Sequence, residues 1–281
     1  ELILFQNIGY THAEWSFLDK ESRWSAQGRI VWPWGSDYEV PEPIRICYPN
    51  VMLKNKAVYF CGVSDIIEPK KAWREFKRQL TGNEWDYDFR RLFFTWTDDI
   101  TKNPFHDWVE IASREETCGW IYPADLFAAD DGSVHILWTE RAIDERLREK
   151  FFPGVKQSHA LNYALVKNGK VISRQTIHMM EEGGTNGIPV EARFQILPDQ
   201  RIFVVFAIRE NATAGQAAVK NYIREISPGS KTTDPVLIQL RYPFSSFFTA
   251  TVRAGSRPSL ILDMLGTTSK KNTICYARVI L

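Results

Sequence analysis

The chain has 281 residues, with 35 Lys and Arg against 34 Asp and Glu, which gives a formal net charge of +1 at pH 7. The overall charge therefore gives no electrostatic reason to expect nucleic acid or an anionic membrane as the partner. With 44% hydrophobic and 25% charged residues, the composition excludes wholesale disorder. No apolar run approaches the ~18 residues that a membrane-spanning helix needs.

Aromatic residues are frequent, at 13% of the chain with 10 Trp. Aromatic side chains favour the pleated surface of β-strands, and their flat rings also stack on sugar rings. The composition therefore suits an all-β fold and a carbohydrate ligand alike.

The predicted elements begin with about three strands in residues 2–30, followed by a hairpin in residues 48–60. Residues 68–80 are charge-rich and have apolar residues at helical spacing, which predicts a short helix. Two further strands follow, in residues 91–97 and 108–112. The hairpin and these two strands make a repeat of four strands.

The same order recurs twice along the chain. The second repeat has a hairpin in residues 122–138, a helical stretch in residues 143–152, and a strand pair around the turn Asn168-Gly169. The third repeat begins with a hairpin in residues 190–206. Its other two strands and a partial repeat at the end of the chain are residues 222–226, 235–240 and 248–281.

A recurring group of four antiparallel strands is typical of a β-propeller. The sequence therefore predicts an all-β fold: one propeller domain over residues 1–281, with four-stranded blades and short helical insertions in loops. Five blades fit the length, although a piece of a larger ring gives the same pattern. The alternative, a β-sandwich, has more evenly spaced strands without a four-strand repeat.

Polar residues recur where the predicted inner strands begin and where the second strands end. In a propeller these positions converge on one opening, so they are candidates for ligand binding, and two guanidinium groups there would suit a carboxylate. The alternative is that they form ion pairs between blades. The strand-start positions are Tyr48, Asn50, Tyr122, Asp125, Glu191 and Arg193, and the strand-end positions are Asp65, Arg141 and Arg209.

Glu191 is the first candidate for catalysis. It follows a Gly-rich stretch and Pro189, where an inner strand begins, and a carboxylate there with a raised pKa can act as a general base. Asp125 occupies the matching place one repeat earlier. Two carboxylates flanking one cavity are the usual requirement for cleaving a glycosidic bond.

His159 opens a strand near a loop and is a further candidate acid or base, whereas His135 lies inside an apolar strand and is expected to be packed. The histidines show no HExxH motif, and the four cysteines lack metal-ligand spacing, so we expect no metal site. The sequence contains no GxSxG, P-loop or GxGxxG motif, and it implies no cofactor.

Residues 189–209 resemble a segment of the sialidase-like BNR/Asp-box superfamily of β-propeller glycosidases and related polysaccharide-degrading enzymes. In that segment a catalytic Glu precedes a strand, a Pro-Asp-Gly turn, a second strand and an Arg. Residues 16–24, and residues 95–100 with Trp108, loosely resemble the structural Asp-box. Gln200 stands at the usual turn Gly, and neither Asp-box has its Gly.

The resemblance implies that Glu191 is the base and Arg209 one arm of a carboxylate-binding arginine cluster. It also implies a secreted or periplasmic location and a nucleophilic tyrosine. The candidates for that tyrosine are Tyr48, Tyr122 and Tyr163.

These observations predict a glycoside hydrolase acting on an acidic sugar or polysaccharide. Arg141, Arg193 and Arg209 hold the carboxylate, and Glu191 and Asp125 transfer protons. One alternative is a lyase, in which His159 or a Tyr abstracts the proton α to a uronate carboxylate. Another is a propeller that binds a glycan or a protein without catalysis. The expected partner is a carboxylate-bearing carbohydrate, with no nucleic acid and no membrane span.

Overall fold

A computed structural model of the chain describes residues 1–7, 9–210, 218–227 and 233–281. The chain folds into two compact units. The first contains Glu1–Pro123 and Arg141–Lys156, and the second contains Ala124–Glu140 and Gln157–Leu281. Among the described residues, no helix is long and apolar enough to cross a membrane.

The first sheet is three-stranded, and its strands pair in chain order. Apolar and polar residues alternate along the middle strand, so that Ala13, Trp15 and Phe17 point into the core of the first unit. Two short strands follow the sheet and pair with each other. These elements are β1 (Leu2–Asn7), β2 (His12–Leu18), β3 (Trp24–Val31), β4 (Trp34–Gly35) and β5 (Glu42–Pro43).

The second sheet has four antiparallel strands, in the order β11-β10-β7-β6. Its first hairpin turns at Asn55 and Lys56, which both have positive φ. A two-residue turn needs this conformation for its twist to match that of the two strands. A short pair, β8 and β9, precedes β10. The strands are β6 (Ile46–Lys54), β7 (Ala57–Ser64), β8 (Ile66–Ile67), β9 (Tyr87–Asp88), β10 (Arg91–Thr97) and β11 (Val109–Ser113).

The two predicted helical stretches are confirmed, and both belong to the first unit. The first is α1 (Lys71–Thr81), and the second is a 3₁₀ turn, Glu145–Leu147, followed by α2 (Arg148–Phe151). The two stretches share a small apolar cluster that includes Trp73, Leu147 and Phe151.

The third and fourth sheets have four antiparallel strands each. The predicted turn at Asn168-Gly169 is confirmed, because both residues have positive φ there. The third sheet contains β12 (Trp120–Ala128), β13 (Val134–Arg141), β14 (Ser158–Lys167) and β15 (Lys170–Glu181). The fourth contains β16 (Ile188–Ile196), β17 (Ile202–Arg209), β18 (Val219–Ile226) and β19 (Val236–Leu237).

The fifth sheet is three-stranded and contains β20 (Phe244–Thr249), β21 (Ile261–Thr268) and β22 (Ile274–Ile280). Its buried side chains, among them Phe244, Phe247 and Leu262, pack with Val205 and Ala207 of β17 in the core of the second unit. The described chain is therefore all-β, with successive sheets of three, four, four, four and three strands. This order confirms the predicted repeat, while closure into a five-bladed ring and a single domain stay predictions.

Candidate active site

The candidate site in the second unit forms around β16, at the place where its pairing is irregular. The register of β16 against β17 shifts between Pro189 and Glu191, and Glu191 then lies opposite Ala207. Such bulges redirect side chains locally. Glu191 and Arg193 are two residues apart on the strand, so both side chains point to the same face.

The carboxylate of Glu191 is largely buried and carries two contacts. Its Oε1 lies 2.6 Å from Arg193 Nη1, and the side chain is 14% exposed. Ser246 Oγ donates to Oε2 at 3.3 Å. Burial raises the pKa of Glu191, and although Arg193 and Ser246 oppose that rise, the negative charge of Asp125 adds to it. Glu191 is therefore a largely buried carboxylate whose pKa lies above its usual value.

Asp125 is more deeply buried, with a side chain that is 1% exposed. Its Oδ1 accepts hydrogen bonds from Leu126 N at 2.9 Å and from Arg253 Nε at 2.8 Å. Its Oδ2 accepts from Phe194 N at 2.8 Å. These contacts tie β12 to β16 and hold Arg253. They fit a residue that positions the site, and they differ from the second, ligand-facing carboxylate that the sequence predicts.

One nitrogen of the Arg193 guanidinium, Nη1, makes three polar contacts. Besides its contact with Glu191, Nη1 donates to the carbonyl oxygens of Ala124 at 3.0 Å and Ala192 at 2.6 Å. No described residue accepts a hydrogen bond from Nη2. The guanidinium lies 5.6 Å from the ring centroid of the exposed Phe248. The side chain of Arg193 is 11% exposed, so Nη2 is its one terminal nitrogen without a contact to the described residues. We call Glu191, Arg193, Asp125, Ser246 and Arg253 the Glu191 cluster.

Two further predicted residues of the second unit lie at strand ends. Arg209 is the exposed last residue of β17 and pairs in register with Ile188 of β16. Among the described residues, none accepts a hydrogen bond from its guanidinium. His159 is half-buried near the start of β14, opposite Met180. A role in catalysis for either residue stays a prediction.

The other predicted positions lie in the first unit, and the structure brings two of them together. The rings of Tyr48 and Tyr122 are exposed, with centroids 6.3 Å apart. Arg141 lies over the ring of Trp120, 5.0 Å from its centroid. Asp65 is buried, and its carboxylate pairs with Arg45 at 2.9 Å. Asp65 therefore has the structural role of an ion pair, which the sequence left open.

Tyr163 is the one buried residue among the three candidate nucleophiles. Its ring is buried, and its hydroxyl contacts His135 Nδ1 at 2.8 Å. Burial lowers the pKa of His135 to about 4, so this ring stays neutral. The pair is a packed polar contact, as expected for His135, and Tyr48 and Tyr122 remain the candidates.

Sequence reasoning missed Ser246, Arg253 and Trp120. Ser246 and Arg253 come from segments 55 and 128 residues away from the carboxylates that they contact. No motif marks either of them. Trp120 had a usable signal, because it precedes Tyr122 by two residues and so lies on the same face of β12.

No family model matches the sequence, and no curated protein matches it. Several solved structures are similar to the chain at low identity. A thermostable family-43 glycoside hydrolase is 15% identical with a TM-score of 0.40, over 83% of this chain and 68% of that one. An α-L-arabinanase from Penicillium chrysogenum, complexed with arabinobiose, is 10% identical with a TM-score of 0.43, over 98% and 76% of the two chains.

A variant of the apocarotenoid oxygenase from Synechocystis is also similar, at 10% identity and a TM-score of 0.49. The match covers 94% of this chain and 52% of that chain, so this chain spans about half the length of the oxygenase. At these identities and scores, the likenesses assign no activity to this chain.

Proposed function

We propose that this protein hydrolyses a glycosidic bond beside a carboxylate-bearing sugar, with Glu191 as the proton-transfer residue. The observation that carries the proposal is the environment of Glu191. Its carboxylate is buried and its pKa is raised, yet it stays ion-paired with Arg193, whose Nη2 bonds to no described residue. A buried carboxylate with a raised pKa is the kind of group that general acid–base catalysis uses.

In the proposed reaction, protonated Glu191 gives its proton to the leaving oxygen as the bond between that oxygen and the anomeric carbon breaks. Once the leaving group has departed, water adds to the anomeric carbon from the same side and gives its proton to Glu191, so Glu191 returns to its starting form. Asp125 is a positioning residue in this scheme. Asp125 accepts hydrogen bonds from Phe194 N and Arg253 Nε, and the first of these holds β16, the strand that carries Glu191. Its negative charge also helps to raise the pKa of Glu191.

The carboxylate of the sugar is assigned to Arg193 Nη2, with Arg209 as a second cation. A guanidinium fork pairs with a carboxylate through parallel hydrogen bonds, which gives orientation as well as affinity. The closure of the five sheets into a β-propeller, which the sequence repeat predicts, belongs to the same proposal. An experimental structure of the full chain tests it.

The test is turnover of a panel of acidic glycans and their neutral counterparts by the wild type and by Glu191→Gln. We expect Glu191→Gln to lose about 100-fold or more in turnover, because it removes an acid–base group, and to keep its affinity for substrate. Glu181→Gln, an exposed glutamate of β15 in the same unit, is the matched control and should keep full turnover. Equal turnover by Glu191→Gln and wild type contradicts the proposal.

Glycan binding without catalysis is the second candidate. It is favoured by the closed contact between Glu191 and Arg193 and by the three donors that occupy Asp125. In that case no glycan of the panel is cleaved, and Glu191→Gln binds as the wild type does. Ultraviolet absorbance of the products detects the unsaturated uronate that a lyase would release.

A further inference from the structure

The first unit carries a continuous band of aromatic rings that the proposed reaction does not use. The ring centroids of Tyr122 and Tyr48 are 6.3 Å apart, and those of Tyr48 and Phe89 are 5.8 Å apart. Phe89 stacks on Trp120 at 4.8 Å and lies 6.3 Å from Tyr87. We call Tyr48, Tyr87, Phe89, Trp120 and Tyr122 the aromatic band.

Three rings of the band are strongly exposed, although burial is favourable for aromatic side chains. Tyr48 is 54% exposed, Tyr122 is 46% exposed and Trp120 is 38% exposed. Isolated exposed apolar residues are ordinary on protein surfaces, but contiguous exposed groups of them mark ligand grooves or interaction surfaces.

The backbone at Tyr48 is held in an unfavourable conformation that presents its ring. Its φ is +51°, in the left-handed region, which is sterically unfavourable for a residue with a Cβ. Tyr48 lies in a bulge of β6, where the register against β7 shifts between Cys47 and Asn50. Strain of this kind concentrates at functional sites, and a bulge is a means of redirecting a side chain.

At one end of the aromatic band lies the guanidinium of Arg141, for which no hydrogen-bond acceptor is found among the described residues. Arg141 lies over Trp120, its Nε is buried, and no residue in the described part of the chain accepts from that Nε. By contrast, the guanidinium of Arg45 is paired with Asp65. The Arg141 side chain as a whole is only partly buried, and no described residue forms an ion pair with its guanidinium, so its charge is available to the carboxylate of an anionic ligand.

We infer that the aromatic band and Arg141 form a binding site for a carboxylate-bearing oligosaccharide. The faces of successive sugars stack on the exposed rings of Tyr122 and Tyr48. One carboxylate bonds to Arg141, whose guanidinium lies over the ring of Trp120. The row of adjacent rings fits a ligand of several sugar units. Stacking does not depend on ligand charge, so the selectivity for an acidic sugar comes from Arg141.

This inference rests on the proposed function only for the ligand class, and binding is measurable without turnover. The full-length Glu191→Gln variant is titrated with an oligogalacturonate of four units and with its methyl ester, which keeps the rings and loses the charges. Calorimetry and tryptophan fluorescence follow binding. We expect the acid to bind about tenfold or more tightly than the ester, since hydrogen bonds to charged groups are the strong ones.

Two substitutions locate the site. Tyr122→Ala should weaken binding of both ligands about tenfold, as loss of a central aromatic contact does. Arg141→Gln should bring the affinity for the acid down to that for the ester. The matched controls, Trp24→Ala and Arg29→Gln, remove an exposed indole and an exposed guanidinium from the first sheet and should leave binding unchanged. Circular dichroism checks that each variant is folded.

Absence of binding by either ligand, or binding that survives both substitutions, overturns the inference. Equal affinity for acid and ester overturns the role of Arg141, and equal binding of a polyglutamate peptide overturns the sugar assignment. Because Glu191 is already replaced, these outcomes do not depend on catalysis. If the aromatic band binds the acid but the protein cleaves no glycan, the inference stands and the proposed hydrolase activity is rejected.

Discussion

At the scale of single residues, Asp88 has the most unusual environment in the first unit. The residue is 2% exposed, and its Oδ2 lies 3.5 Å from Arg90 Nη2 without accepting a hydrogen bond from a described residue. Burial raises its pKa to about 7, and although Arg90 opposes the rise, the charges of Glu115 and Glu68 add to it. The protonated form is therefore stabilised by folding.

The sign of the resulting pH dependence follows from linkage. A carboxyl group whose pKa is higher in the folded state contributes stability that is complete below its unfolded pKa, near 3.8, and is lost as the pH rises through about 7. In Asp88→Asn this loss should disappear. Urea unfolding at pH 5 and pH 8 measures it, with the exposed Asp107→Asn as control. An unchanged difference between the two pH values in Asp88→Asn contradicts the assignment.

Gln200 is a second residue whose conformation has a measurable consequence. It has a φ of +67° in the exposed turn between β16 and β17, where the superfamily segment has glycine. Gln200→Gly should stabilise the protein by up to about 1 kcal/mol, because glycine removes the steric cost of that conformation. The gain is only partial, because glycine loses more conformational entropy than glutamine when the chain folds. Gln200→Ala keeps the Cβ and should show no gain in thermal unfolding. Equal stability of all three proteins would show that the turn is unstrained.

At the scale of elements, α1 is anchored by a buried ion network. The carboxylate of Glu68 is fully buried and accepts from Arg90 Nη1 and Nη2, both at 2.8 Å, and from Lys77 Nζ at 2.9 Å. These contacts hold the pKa of Glu68 at about 2, despite burial. Lys77 belongs to α1, so the network joins the helix to the strands beneath it.

Glu68→Gln should destabilise the first unit by about 3 kcal/mol, because it removes the shortest ion pairs of two buried cations. Arg90 then keeps Glu115 at 3.0 Å, and Lys77 keeps Asp144 at 3.8 Å. The control is Glu75→Gln, an exposed residue of α1 whose only described ion pair is with Lys71 at 3.9 Å. That variant should change the free energy of unfolding by less than about 1 kcal/mol. Urea unfolding compares the two, and similar stabilities would remove Glu68 as the anchor.

The elements themselves were predictable from local sequence. The hairpins follow from runs of apolar residues around turns such as Asn168-Gly169, where both positions must tolerate positive φ. The surroundings of the two carboxylates were not predictable, because Ser246 reaches Glu191, and Arg253 reaches Asp125, only through the packing of β20 and the turn after it. The burial of Asp125 was equally invisible, since it depends on the amide of Phe194, 69 residues away.

At the scale of the whole molecule, the succession of antiparallel sheets is the all-β fold that the aromatic-rich composition favours. The strand count of each sheet follows from local patterns, whereas ring closure depends on contacts that no local pattern encodes. For the same reason the sequence pointed to Tyr48, Tyr122 and Arg141 singly, but not to the continuous band that they form with Trp120 and Phe89.

The most direct test of the central claim is a crystal structure of Glu191→Gln bound to an uncleaved acidic oligosaccharide that the wild type hydrolyses. We expect the glycosidic linkage within about 3 Å of the side chain of residue 191, which is the reach of a proton-transfer group, and the sugar carboxylate on Arg193. A ligand bound without contact to residue 191, with Arg193 still turned toward that residue, would contradict the assignment of Glu191 as the acid–base residue.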